Sequence, residues 1–188
     1  ALELLREGAS WAVANVHRFA LALDEARTDP LTGVPNRRAV LRRLAEAVDD
    51  ARRTGRPLGV VLFDADNFKQ VNDTCGHQKG DEVLRSLGAM LRDSVRGWDV
   101  VGRYGGEEFL AVLPGADLER ARAMAERVRM AVENDSTGHS EEGQPGQVTL
   151  SCGVAQWNGT ETVDELLFAA DAALYRAKTA GRNRTETR

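Results

Sequence analysis

Hydrophobic and polar positions along this chain follow helical spacing in some segments and form short apolar runs in others. Apolar or small side chains recur at spacings of four and three through residues 2–27, the pattern of a coiled-coil seam. That segment predicts one long helix, which either pairs with a second copy or packs on its own domain. Apolar faces at helical spacing predict four further helices, at about residues 36–54, 80–95, 118–134 and 163–178.

Shorter apolar runs predict the strands. Residues 58–63 are almost wholly apolar, which is the pattern of a strand buried on both faces. Two more runs, 99–104 and 109–113, flank a Gly-Gly pair that would supply the positive-φ backbone of a tight hairpin. Residues 147–155 predict a further strand. We therefore expect an α/β fold, with a mixed central sheet flanked by helices and the 58–63 strand beside the hairpin.

Composition is that of a soluble globular domain. The chain has 188 residues, of which 42% are hydrophobic and 29% charged, enough for a buried core without disulfides. Cys75 and Cys152 lack metal-binding spacing, and we interpret them as reduced residues of a cytoplasmic protein. No apolar run is long enough to insert into a membrane. The net charge of −4 gives no general electrostatic reason to bind nucleic acid. Because the sequence does not begin with Met, we expect a longer protein with an upstream sensory domain.

Acidic residues gather at two places where a predicted strand gives way to a turn. Asp64 and Asp66 follow the 58–63 strand, at the end where α/β sheets place ligands. Glu107 and Glu108 follow the Gly-Gly pair, where their repulsion costs free energy unless a cation or a substrate group relieves it. Paired carboxylates in such positions commonly hold Mg²⁺ on a nucleotide phosphate. With the strand beside the hairpin, Asp64 and Glu107 would converge on one site.

Four segments of the chain carry recognisable motifs. GGEEF at 105–109 resembles the signature of the GGDEF family of diguanylate cyclases, with Glu107 where Asp is commoner. DPLTGVPNRR at 29–38 resembles its opening DxLTGLxNR pattern. FDADNFKQVNDTCGHQKGDEVL at 63–84 resembles DxDxFKxxNDxxGHxxGDxxL over some twenty positions. RGWD at 96–99 ends six residues before GGEEF, which is the spacing of the family's RxxD inhibitory site.

The resemblance implies a fold and a reaction. The fold would be the palm-like nucleotidyl cyclase fold over residues 28–188, preceded by an N-terminal signalling or dimerisation helix at 1–27. The reaction would condense two GTP molecules into cyclic di-GMP and two pyrophosphates by metal-assisted attack of 3′-hydroxyl groups. One domain would hold one GTP, so two domains of a homodimer would have to face each other. The seam at 2–27 would raise the effective concentration of the partner domain.

The resemblance also assigns the catalytic residues. Asp64, the backbone carbonyl of Ala65, and Glu107 would ligate Mg²⁺ bound to the triphosphate of GTP. The ligand types suit Mn²⁺ as well. Glu108 would contact or deprotonate the attacking 3′-hydroxyl group, a role suited to a carboxylate left off the metal.

Substrate contacts follow from the same resemblance. Asn72 and Asp81 would bind guanine, since an ionised carboxylate can accept from both N1–H and the N2 amine of that base. The phosphates would be bound by two cations near the C-terminus and by backbone N–H groups after the first strand: Lys178, Arg182, Asn67 and Phe68. Cations at and beyond a helix end can instead simply complement the helix dipole.

A second ligand site is implied on the hairpin's first strand. Arg96 can pair with a product phosphate or stack on its guanine, and Asp99 can accept from the guanine edge. Arg127 could complete this product-inhibition site from the same or a neighbouring domain. The alternative is a salt bridge between Arg96 and Asp99, which are three residues apart.

Other functions are compatible with parts of the sequence. A catalytically silent module that binds GTP or cyclic di-GMP would be favoured by disrupted metal or phosphate positions, but Asp64 and Lys178 are intact. A cyclase making a mononucleotide or a mixed cyclic dinucleotide is disfavoured by Asn72 and Asp81. A purely structural dimerisation protein explains 2–27 and leaves the other motifs unexplained.

Overall fold

The protein was analysed as a computed structural model, which describes residues 27–137 and 148–188. The helix predicted at 2–27, and with it the expected domain boundary and dimerisation seam, lies outside the described residues apart from residue 27. The strands are β1 (Leu58–Ala65), β2 (Val100–Arg103), β3 (Glu108–Pro114), β4 (Leu150–Gln156) and β5 (Thr185–Thr187). The helices are α1 (Arg37–Thr54), α2 (Phe68–Cys75), α3 (His77–Ser94), α4 (Leu118–Thr137) and α5 (Val163–Thr179).

Strand β1 lies at the centre of a five-stranded sheet with the order β2-β3-β1-β4-β5. It pairs antiparallel with β3 on one side and with β4 on the other, whereas β5 runs parallel to β4. The sheet is therefore mixed, as the sequence predicts. Every residue of β1 is buried, which confirms that a nearly unbroken apolar run forms a strand covered on both faces.

Helices cover both faces of the sheet, and alternate residues of β1 divide between the two layers. Val61 and Phe63 pack with the buried side chains of α3 and α4. Val60 and Leu62 pack with those of α1 and α5. Because side chains of a strand alternate, Asp64 leaves β1 on the α1 and α5 face. Among the described residues, no helix combines the length and the apolar character needed to cross a membrane.

Helix α5 sits directly on the backbone of β4 at Gly153. A Cβ at this position would overlap the carbonyl oxygen of Ala170 and the backbone nitrogen of Leu174. Backbone atoms inside a packed helix cannot move aside as the end of a flexible side chain can. Close packing of α5 on the sheet therefore requires glycine here.

Two elements differ from the sequence-based prediction. A single helix was expected from residue 80, but α3 begins at His77 and a separate helix, α2, precedes it. Only Phe68 and Val71 of α2 are buried, so its eight residues carry too few apolar positions to show a helical period. Strand β5 was not predicted, because its three residues have no apolar pattern and are ordered by pairing with β4.

The turn between β2 and β3 is formed differently from the prediction. The expectation that Gly105 and Gly106 have positive φ is wrong, since neither is among the glycines of the described residues that have a positive φ. A Cβ at Gly105 would overlap the carboxylate of Glu108, which would then have to move. In this structure the glycine leaves room for the Glu108 side chain rather than adopting an unusual backbone conformation.

Candidate functional site

Three carboxylates and one ammonium group meet at the carboxyl end of β1. Asp64 and Glu108 are register partners across the β1–β3 ladder, so their side chains leave the same face of the sheet. Glu107 is the next residue towards the turn, and its carbonyl oxygen accepts a hydrogen bond from the Ala65 N–H at 3.3 Å. The last turn of α5 places Nζ of Lys178 2.7 Å from Oδ2 of Asp64. The structure thus brings Asp64 and Glu107 together in the expected manner.

Burial raises the pKa of all three carboxyl groups. For Glu107 and Glu108 the negative charge of Asp64 raises the pKa further, while the charge of Lys178 acts against it. For Asp64 the hydrogen bond and charge of Lys178 offset part of the effect of burial. Negative charge is therefore crowded at this end of β1, and an additional cation would lower the free energy of the ionised cluster.

The donor atoms at this site suit a hard cation. Within residues 27–137 and 148–188, no three His, Cys, Asp or Glu side chains are placed to hold a metal ion by themselves. Mg²⁺ is commonly bound by one or two carboxylates together with waters and substrate phosphates. The carboxylates of Asp64 and Glu107 and the carbonyl of Ala65 therefore fit a divalent ion that arrives with a nucleotide, and oxygen donors suit Mn²⁺ equally.

The expected guanine ligands lie on the two neighbouring helices α2 and α3. Asn72 is on α2, and its side chain packs against Gly80, the residue before Asp81 on α3. Gly80 is inside the helix, and a Cβ there would overlap Oδ1 of Asn72. The side chain of Asp81 is 49% exposed, and its nearest cation is the Arg85 guanidinium at 3.8 Å. Asp81 is thus accessible to a ligand from solvent.

The turn after β1 carries the two expected backbone donors. Asn67 has φ 57° and precedes α2, and Phe68 is the first residue of that helix. The first N–H groups of a helix have no intrahelical acceptor and favour anions. These donors are adjacent in sequence to the carboxylate end of β1, so a phosphate near Asp64 would also be near them.

Arg182 lies beside the same cluster. Its charge lowers the pKa of Asp64, although burial is the larger influence and acts in the opposite direction. Its backbone N–H donates to the carbonyl of Ala177 at 3.0 Å, which joins the residues after α5 to the end of that helix. The structure therefore brings both C-terminal cations, Lys178 and Arg182, to the carboxylates.

The three residues of the expected product site line one cavity, at the opposite end of β3 from the carboxylates. This cavity has a volume of about 160 Å³ and is lined by Arg96, Asp99, Arg127 and the Pro114 end of β3, among others. The Arg96 N–H donates to Oδ2 of Asp99 at 3.1 Å, and Arg127 donates to the carbonyl of Ser94 at 2.9 Å. In the described part of the chain, the Arg96 guanidinium forms no salt bridge with Asp99, so that alternative is not what the structure shows.

A brace behind the hairpin turn was not predicted. The Arg103 guanidinium donates to both carboxylate oxygens of Asp29, at 3.1 and 3.2 Å, and also to the carbonyl of Gly106, at 2.6 and 3.1 Å. Asp29 further accepts from the Thr32 backbone N–H and hydroxyl group. Burial acts to raise the pKa of Asp29, but these hydrogen bonds and the charge of Arg103 outweigh it and lower the pKa. The DPLTG segment thereby supports the turn that carries Glu107.

The mixed sheet, with charged side chains gathered at the end of its central strand, defines an α/β domain whose candidate site lies at a strand end. Comparison with known proteins gives the family. A family model described as "Diguanylate cyclase, GGDEF domain" matches residues 26–184. The chain belongs to the GGDEF domain family of diguanylate cyclases.

Individual relatives agree with this assignment. Diguanylate cyclase DgcP from Pseudomonas aeruginosa is 42% identical over 162 residues, which are 86% of this chain and 24% of DgcP. The coiled coil and GGDEF domain of DgcB from Caulobacter crescentus, solved in complex with c-di-GMP, is 30% identical with a TM-score of 0.81, over 98% of this chain and 99% of that one. The active GGEEF domain of a Vibrio cholerae diguanylate cyclase is 35% identical with a TM-score of 0.74, over 81% of this chain and 96% of that one.

Proposed function

We propose that this chain is a catalytically active diguanylate cyclase domain, which condenses two GTP molecules into cyclic di-GMP. In each half-reaction a 3′-oxygen forms a bond to the α-phosphorus of the other GTP. The bond from that phosphorus to the β-phosphate oxygen breaks, pyrophosphate leaves, and the hydroxyl proton passes to a base. The observation that carries this proposal is the cluster of Asp64, Glu107 and Glu108 beside Lys178, at the end of a wholly buried strand.

The carboxylates divide between metal binding and proton transfer. Asp64, the Ala65 carbonyl and Glu107 would hold Mg²⁺ or Mn²⁺, and the bound ion would supply charge neutralisation and polarisation of the phosphates. Glu108 accepts the proton of the 3′-hydroxyl group. Burial and the charge of Asp64 raise the pKa of Glu108, which makes its carboxylate a stronger base than an exposed one.

The remaining groups bind the nucleotide. Lys178 and Arg182 neutralise the β- and γ-phosphates through charge-assisted hydrogen bonds, helped by the N–H groups at the start of α2. The Asp81 carboxylate accepts from guanine, and the Asn72 carboxamide binds the purine edge. Adenine lacks the paired donors that Asp81 requires, so the preference for GTP over ATP resides there.

A homodimer follows from this stoichiometry. One domain presents one GTP, so a second domain must face it to complete both attacks. We place product inhibition at the opposite end of β3, where Arg96, Asp99 and Arg127 line one cavity. The use of GTP and the free thiols of Cys75 and Cys152 support a cytoplasmic protein.

The test is the product formed from GTP and Mg²⁺ by the purified chain, separated by chromatography. We expect cyclic di-GMP and pyrophosphate in a ratio of one to two, and a loss of about 100-fold or more in Asp64→Asn. Asp93→Asn, at an exposed carboxylate on α3, is the matched control and should keep full activity.

Intact GTP at high protein concentration would count against catalysis, provided that a version fused to an enforced dimer is equally inactive. If GTP or cyclic di-GMP still binds to that fusion, the domain is a binding module. An active fusion would instead locate the deficit in domain pairing.

A further inference from the structure

Asp66 is two residues from Asp64, and its carboxylate has hydrogen-bond donors of its own. Burial is the main cause of the raised pKa of Asp64, and the negative charge of Asp66 raises that pKa further. Asp66 is 2% exposed, and both of its carboxylate oxygens accept hydrogen bonds. Oδ1 accepts from the Ser151 hydroxyl at 2.7 Å, and Oδ2 accepts from the Thr149 hydroxyl at 2.7 Å and from the Asn183 backbone N–H at 3.0 Å. A carboxylate that accepts without donating suits a pocket where three donors converge.

The Asn183 end of this network belongs to an unusual turn. Gly181, Arg182 and Asn183 have φ values of 114°, 62° and 44°, so three successive residues lie in the left-handed region. That region costs Arg182 about 1 kcal/mol, whereas asparagine and glycine adopt it more readily, so the Arg182 position gains most from outside support. Asp66 supplies it from the end of β1, where it holds the N–H of the residue next to Arg182.

A second support reaches the same turn from α4. The Asn183 side-chain oxygen accepts from Arg129 at 2.7 Å, and its amide nitrogen donates to Glu133 at 2.7 Å. Arg129 also pairs with Glu126, so the attachment on α4 is itself held in place. The turn is thus fixed between the central strand and a helix on the opposite face from α5.

We propose that Asp66 is a positioning residue for GTP, which fixes the 181–183 turn so that Arg182 faces the terminal phosphates. The inference rests on the proposed function, because only GTP binding makes Arg182 a phosphate ligand. The end of β1 carries Asp64, the proposed metal ligand, and through Asp66 it also positions Arg182, the proposed phosphate ligand. One short segment thereby aligns the two charged halves of the site.

The experiment compares GTP binding with binding of GMP, which lacks the β- and γ-phosphates, in the presence of Mg²⁺. Asp66→Ala should weaken GTP binding about tenfold, close to the effect of Arg182→Ala, and leave GMP binding within about twofold. The double variant should bind GTP little worse than either single one, because both remove the same interaction.

Two further variants separate positioning from other roles. Thr149→Val removes a hydroxyl donor to the same carboxylate oxygen but spares the Asn183 bond, so GTP affinity should stay within about twofold. Asp66→Asn keeps an acceptor for the Asn183 N–H, and the Ser151 hydroxyl can turn to accept from the new amide. It should therefore retain GTP affinity within about threefold, and it carries the test if Asp66→Ala does not fold.

The outcomes distinguish the two proposals. A wild-type chain that does not bind GTP would overturn the proposed function. Wild-type binding together with additive effects of Asp66→Ala and Arg182→Ala, or with equal losses for GTP and GMP, would overturn the positioning role alone. A loss of tenfold or more in Asp66→Asn would also overturn it, since the negative charge rather than the held N–H would then matter.

Discussion

The ammonium group of Lys178 lies 2.7 Å from a carboxylate oxygen of Asp64, so a cation of the protein itself neutralises the proposed metal ligand. The Lys178 side chain is 35% exposed and that of Asp64 only 7%, which leaves the lysine free to turn outward while the aspartate stays in place. A divalent ion on Asp64 would repel Lys178, and the phosphates of GTP would then be its new partner.

Lys178→Met should consequently have effects of opposite sign on metal and nucleotide. Without GTP, Mn²⁺ binding should tighten about fivefold, because the metal no longer has to displace Lys178 from Asp64, an ion pair that contributes about 1 kcal/mol. GTP binding should weaken about tenfold or more, because a phosphate ligand is lost. Electron paramagnetic resonance measures the affinity for Mn²⁺, and titration calorimetry measures the affinity for GTP. Lys79→Met, at an exposed lysine paired with Glu82, is the control and should change neither affinity. If Lys178→Met weakens the binding of both Mn²⁺ and GTP, Lys178 does not exchange Asp64 for the phosphates.

Glu107→Gln should abolish activity and yet stabilise the fold in the absence of metal. Burial and the charge of Asp64 raise the pKa of Glu107, so the folded chain binds its proton more tightly than the unfolded chain does. The ionised group therefore destabilises the fold at neutral pH, by less than about 1 kcal/mol because it is partly solvated.

The gain in unfolding free energy from Glu107→Gln should shrink as the pH falls through the raised pKa and vanish below the ordinary value of 4.5. Urea unfolding in EDTA between pH 8 and pH 4 measures it. Glu119→Gln, at an exposed carboxylate of α4, serves as the control. A gain that is equally large at pH 4 would show that charge is not its cause.

Gly80→Ala should weaken GTP binding with little effect on stability. The new Cβ would overlap the end of the Asn72 side chain, which can rotate away, and would lie 3.1 Å from the ring of Phe68, which must give by a few tenths of an ångström. The preference of alanine for a helix, about 1 kcal/mol, offsets the cost of that adjustment. We expect GTP affinity to fall about tenfold, with the free energy of unfolding within about 1 kcal/mol of wild type. Gly153→Ala provides the contrast, since its clash is with backbone and should cost about 3 kcal/mol or more. Calorimetry and urea unfolding of both variants would decide, and an unfolded Gly80→Ala would contradict this account.

Arg96→Ala should relieve product inhibition without slowing the first turnovers. Its side chain lines the cavity at the far end of β3 and lies away from the carboxylates. We expect the inhibition constant for cyclic di-GMP to rise about tenfold or more, with kcat within about twofold of wild type. Initial rates measured with added product give both values. Arg122→Ala on α4 is the matched arginine control, and a fall in kcat alone would assign Arg96 to the fold or to catalysis instead.

Much of the fold could be predicted because buried helices and strands have apolar residues at a characteristic spacing in the sequence. Strand β1 is covered on both faces and therefore has an unbroken apolar run, and α1 shows its buried stripe together with the Asn36 cap, which accepts from the Ala39 N–H. Helix α2 and strand β5 leave no such trace, since one buries two side chains and the other is ordered by its neighbour.

The candidate site could be proposed from the sequence where the type of residue and its motif indicate the chemistry. Charged residues in a recognisable motif point to Asp64, Glu107 and Lys178. The function inferred for Asp66 depends on a bond to the N–H of Asn183, which is far away in sequence and could not be foreseen from it. The signal available was a second carboxylate after a buried strand, where an unpaired charge would be costly.

At Gly153 the backbones of α5 and β4 touch with no side chain between them. A helix that packs through side chains can rotate or shift when those side chains change rotamer. A helix in direct backbone contact with a strand has no such side chains to rearrange, so it stays in place. Lys178 extends from the last turn of α5, so its movement is confined to its own rotatable bonds. In the proposed homodimer each domain would then contribute one stiff half of the active site. The adjustable quantity is how often, and in what orientation, two such halves meet, and we expect a regulatory signal to act on that encounter.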